Sequence, residues 1–103
     1  MIEISQLPPE IRQESEDLLN ELRASGWQIS AAMYEASFFG DWFVDLERGE
    51  KSIRLIKENA VFTFQELVDI EPKAEAPTPF ENFDTFHKAV ADWAGSNGPS
   101  LVR

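Results

Sequence analysis

His87 is the only histidine in the chain, and it follows Asp84 by three residues. A His–Asp pair at helical spacing suits general acid–base chemistry, because imidazole titrates near neutral pH and a carboxylate can orient it. No Ser, Thr or Lys stands in a recognisable nucleophile setting beside it, and there is no cysteine. A second group is Asp41, Asp45 and Glu47. Asp45 and Glu47 lie two apart, on one face of a strand, where two carboxylates could share a divalent cation. No EF-hand loop, HExxH or phosphate-cradling glycine motif accompanies them. The residues therefore predict no enzyme, no metal site and no cofactor.

A third group has another character. Glu10, Glu14, Asp17 and Glu21 follow helical spacing, and with Glu10 set at 0° the others fall at roughly 40°, 340° and 20°. Four carboxylates thus share a strip about 60° wide, running three turns. Each like-charge neighbour pair should cost about 0.2–0.5 kcal/mol in an exposed helix. The helix dipole offsets this for Glu10 and partly for Glu14, and gives nothing to Asp17 or Glu21. Arg12 and Arg23 fall on the far side, so the strip is expected to stay uncompensated.

The charge is lopsided along the chain. The net charge is −10. Residues 1–50 hold 11 acids and 3 bases, and residues 51–103 hold 8 and 6. Such a surface lacks the Lys and Arg that displace counterions from phosphates, so nucleic acid is excluded as a partner. Anionic membranes are excluded for the same reason. No signal-like segment opens the chain, and no stretch approaches the ~20 apolar residues of a membrane span. These absences predict a cytoplasmic protein. The hydrophobic fraction of 43% is that of a folded domain despite the charge.

The elements that must position these residues follow from periodicity. Residues 1–6 form a short edge strand or a tail. Leu7-Pro8-Pro9 opens a helix ending near Ala24 or Ser25, with Gly26 as a left-handed cap. Its core stripe is Ile11, Leu18 and Leu22, flanked by Ser15 and Leu19. From Trp27 the period becomes two, with Trp27, Ile29, Ala31 and Met33 on one strand face and Tyr34 on the other. A turn near residues 37–40 follows, in which Phe38 and Phe39 fall. Trp42, Val44 and Leu46 then alternate with Phe43, Asp45 and Glu47. Tight turns at Arg48-Gly49 and Glu58-Asn59 frame a third strand, carrying Ile53 and Leu55. Phe62 and Phe64 share a face of a fourth. Residues 66–71 read as strand or helical turn. A Pro-rich connection covers 72–79. A second helix is capped by Thr78 with Pro79 at its first position, or alternatively by Asp84. It carries Phe83, Phe86, Val90 and Trp93 on one face and ends at Gly95. Residues 96–103 read as a flexible tail.

The expected fold is one α+β domain over residues 1–103, in the order αβββ(β)α. An antiparallel meander of three to four strands carries both helices on one face. This element order resembles that of the double-stranded RNA-binding domain. That family binds RNA with basic residues at the start of its last helix, where this chain reads Asp84-Thr85-Phe86-His87-Lys88 after Glu81. The resemblance therefore implies no RNA binding.

The function expected from these features is that of a small, acidic, non-enzymatic protein-binding domain. In size and charge it is similar to immunity or antitoxin-like inhibitors that occlude a basic partner. The contact set is Glu10, Glu14, Asp17 and Glu21 on the helix, with Tyr34, Phe43, Asp45 and Glu47 on the outer sheet face. The alternative is a self-associating structural or accessory subunit that buries Phe43 and Tyr34 in a homodimer; the first reading expects a monomer.

Overall fold

The computed structural model describes residues 2–35, 40–68, 71–72 and 78–96. An N-terminal helix α1 (Pro9–Ala24) leads into strands β1 (Gln28–Glu35), β2 (Asp41–Arg48), β3 (Lys51–Glu58) and β4 (Val61–Val68). A two-residue strand β5 (Glu71–Pro72) and a C-terminal helix α2 (Phe83–Ser96) complete the order. The strands form one antiparallel sheet in sequence order, β1-β2-β3-β4-β5. The fold is thus the expected α+β meander between two helices, and β5 extends its sheet.

Proline starts α1 because its missing N–H would have no partner in the first turn. Ser25 and Gly26 end it, with the Trp27 N–H reaching back to the Leu22 carbonyl. Gly26 takes φ +99, a conformation that side chains rarely adopt. The residue before α1 is reached through a 3₁₀ turn over Ile4–Gln6, and Ile2 bridges to Ile29. The first residues therefore do touch the sheet, by one bridge rather than as a strand. The start of α2 differs from both sequence expectations. Asn82 caps it, its Oδ1 accepting from the Asp84 and Thr85 N–H groups at 2.8 and 3.2 Å. Neither Thr78 nor Asp84 is the cap.

Both tight turns lie one residue later than expected. The β2–β3 turn is Gly49-Glu50, and the β3–β4 turn is Asn59-Ala60. Asn59 and Ala60 both take positive φ, 54° and 65°, as a type I′ turn requires.

One face of the sheet packs against the helices. Its core joins Ile11, Leu18, Leu19 and Leu22 of α1 to Ile29, Val44, Leu46, Ile53 and Leu55 of the sheet and to Phe86 and Val90 of α2. Phe62 sits at the aromatic centre, stacked on Phe86 at 5.4 Å and edge-on to Phe83 at 5.2 Å. Trp27 meets Trp93 at 5.7 Å between ring centroids. The expected residues 37–39 of the first loop, the 73–77 stretch of the Pro-rich connection and the 97–103 tail lie outside the described residues.

Candidate functional site

The acidic strip on α1 divides in two. Glu14 is not a bare charge. Both of its carboxylate oxygens accept from Lys57 Nζ at 3.0 Å, and Oε1 also accepts from Trp42 Nε1 at 3.0 Å. Glu21 Oε1 lies 2.9 Å from His87 Nε2, tying α1 to α2. His87 therefore turns to Glu21 and not to Asp84, so the His–Asp spacing noted in the sequence does not become a pair. Glu10 and Asp17 are exposed and have no ion pair among the described residues. The strip is thus half compensated, against expectation. The physical reason is angular. The apolar stripe of α1 centres near 120° on the wheel, so Glu14 at roughly 40° and Glu21 at roughly 20° border it and reach neighbouring elements. Glu10 and Asp17 lie further round and meet solvent.

Tyr34 also differs from expectation. The β1–β2 register runs Ile29↔Leu46 and then Ala31↔Asp45, so Ser30 is an extra, bulged residue. A bulge reverses which parity faces the core. Beyond it Ala32 and Tyr34 pack on the core side, while Met33 faces outward at 49% exposure. Tyr34 is consequently not on the outer face. It lines a recess of about 380 Å³ with Glu10, Gln13, Glu14, Trp42 and Lys57, where α1 overhangs the sheet. Strict alternation through a strand hides such a bulge from the sequence.

Phe43, Asp45 and Glu47 do lie on the outer face, opposite Trp42, Val44 and Leu46. The two expected contact groups therefore sit on opposite sides of the sheet, with Tyr34 belonging to the helix side. Asp45 is nearly buried and is engaged within the protein. Arg54 donates to its two oxygens at 2.7 and 3.0 Å. That hydrogen bond, against the opposing effect of burial, holds the Arg54 guanidinium above its ordinary pKa. The same guanidinium lies 4.4 Å from the Phe43 ring centroid. The Asp45 charge is thus cancelled locally by Arg54, so it is not a free partner for Glu47. Among the described residues no group of three His, Asp or Glu side chains could hold a metal ion.

The strand register sorts the rest of the outer face into cross-strand rows. Met33 pairs with Phe43, and Phe43 with Ile56, which makes an apolar row across three strands. The next row begins with Glu35 directly opposite Asp41, and Glu58 ends β3 beside them. These six residues line one recess of about 360 Å³. Like charges directly opposite destabilise a sheet by about 0.2–1 kcal/mol. Asp41 gains one compensating contact, its Oδ1 accepting the Asn59 N–H at 3.0 Å. The two cations that border the recess are already committed, Arg54 to Asp45 and Lys57 to Glu14. Among the described residues, no ion pair neutralises Glu35, Asp41 or Glu58. Sequence reasoning missed Met33 and Ile56 here; the Ile56 parity was legible, and that of Met33 was hidden by the bulge.

Comparison with protein-family models, with curated proteins and with solved structures finds no match to this chain. Among the described residues no helix is long and apolar enough to cross a membrane.

Proposed function

We propose that this chain is a small acidic, non-enzymatic protein-binding domain whose outer sheet face takes a basic protein partner, in the manner of immunity or antitoxin-like inhibitors. One observation carries the reading. The apolar row Met33–Phe43–Ile56 adjoins the acidic row Glu35–Asp41–Glu58, and the cations beside them are spent on internal pairs. An apolar centre with a charged border is the usual plan of an interface, in which the centre supplies affinity and the border selects the partner. Two copies of this face would bring together six carboxylates that have no ion pair among the described residues, so charge complementarity favours a basic partner over self-association. Glu10 and Asp17, on the other side, contribute to the long-range field that speeds encounter.

The test is a nuclear magnetic resonance titration with a defined probe, an eight-residue peptide alternating lysine and valine. The expected result is shifts at Met33, Phe43 and Ile56 that vanish at high salt and vanish when glutamate replaces lysine in the peptide. Shifts confined to Asp17 and Glu21 would move the site to α1. No binding of any lysine-bearing peptide would overturn the reading.

A further inference from the structure

The two long edges of the sheet are treated differently. Along β4, Phe62 exchanges a pair of backbone hydrogen bonds with Phe80 at 2.8 Å each, and Leu67 and Val68 pair with β5. That edge is occupied near both ends. Along β1, the first half is also managed, because Ile2 donates to the Ile29 carbonyl at 3.0 Å and Ser30 is bulged. The second half is not. Over residues 31–35, no described residue hydrogen-bonds to the outer edge of β1. The residues there are Ala31, Ala32, Met33, Tyr34 and Glu35, with no lysine and no proline to discourage pairing. A strand edge that keeps its main-chain donors and acceptors unpaired is a template for an added strand.

This half-edge also lies between the two recesses. Met33 and Glu35 line the outer one, and Tyr34 lines the inner one together with Glu10. Side chains of an added strand alternate between the two faces of the sheet. One set would run beside Met33 and Glu35, the other beside Tyr34 and Glu10. Both destinations combine an apolar or aromatic surface with a carboxylate that has no ion pair among the described residues.

We infer that β1 is the docking edge, and that the occupant is an extended basic segment of the partner, added as a further strand along residues 31–35. The inference rests on the basic-partner reading given above and adds how that partner is held. Main-chain hydrogen bonds supply sequence-tolerant affinity, and the carboxylate on each face selects lysine or arginine at the positions of the added strand that point to that face.

The experiment uses the full chain and three probes: the lysine–valine peptide, its glutamate counterpart, and a version of the lysine peptide N-methylated at every peptide bond. N-methylation keeps charge and side chains and removes every backbone donor. The lysine peptide is expected to bind and to slow hydrogen exchange at alternate amides within 31–35. The N-methylated peptide should bind about tenfold more weakly, the equivalent of one to two lost hydrogen bonds. Equal binding of the two lysine peptides overturns strand addition and leaves the basic-partner reading standing. Failure of both lysine peptides overturns the basic-partner reading, and this inference with it. Met33→Lys, at an exposed position, supplies a second check and should weaken the lysine peptide without unfolding the domain. A concentration-dependent dimer in sedimentation that Met33→Lys abolishes would make a second copy the occupant, and would overturn the inference.

Discussion

Replacing Glu14 by Gln separates two accounts of the acidic helix, because they predict opposite signs. As a member of a solvated strip, Glu14 repels Glu10 and Asp17, and removing its charge would relieve two pairs, each of about 0.2–0.5 kcal/mol. The domain would then gain up to about 1 kcal/mol. In the structure, however, Glu14 receives Lys57 through both oxygens. The side chains of Lys57 and Glu14 are 20% and 31% exposed. Breaking a fully buried pair costs about 3–5 kcal/mol, and an exposed pair is worth about 0–1. This intermediate burial places the loss for Glu14→Gln at about 1–2 kcal/mol. For a domain of this size that lowers the melting temperature by about 5–15 °C. Glu14→Ala should lose about 1 kcal/mol more, because Trp42 Nε1 then has no acceptor. The assay is thermal and urea unfolding followed by tryptophan fluorescence, with Asp17→Asn as the control. Asp17 is exposed and has no ion pair among the described residues, so that control should melt at or slightly above the parent. A Glu14→Gln protein that also melts at or above the parent would refute the assignment of Glu14 to a tertiary network.

Three further substitutions address the local devices of the fold. Asn82→Ala removes the acceptor for two N–H groups at the start of α2 and should cost about 1 kcal/mol in urea unfolding, whereas Thr78→Ala should change it little. Gly26→Ala forces a side chain into φ +99 with its Cβ 3.1 Å from Arg48 Cδ, and calorimetry should show a loss of about 1–3 kcal/mol. Phe86→Ala empties the fully buried ring position between Phe62 and Phe83 and should lose about 3–5 kcal/mol, visible as a large drop in the urea midpoint.

Element order and the antiparallel meander were legible in the residues alone, and the simplest packing, both helices on one face, is the one adopted. Local rules suffice for these. Gly26 and the paired prolines bound α1, alternation marks β2, β3 and β4, and short turns leave consecutive strands no choice but to pair as neighbours. The outer position of Phe43, Asp45 and Glu47 followed from the same alternation. Tertiary structure decided which charges are spent. Lys57 lies 43 residues from Glu14, and His87 lies 66 from Glu21. Arg54 cancels Asp45 only because the β2–β3 register sets them opposite each other. No local pattern encodes those distances, although the helical wheel does show that Glu14 and Glu21 border the apolar stripe. The bulge at Ser30 is the other decision made in three dimensions. One extra residue, accommodated against β2, turned Tyr34 inward and Met33 outward, and so built the apolar row on which the outer face depends. The excess negative charge was legible from composition, whereas which carboxylates keep no ion pair among the described residues emerged only after the internal pairs had been made.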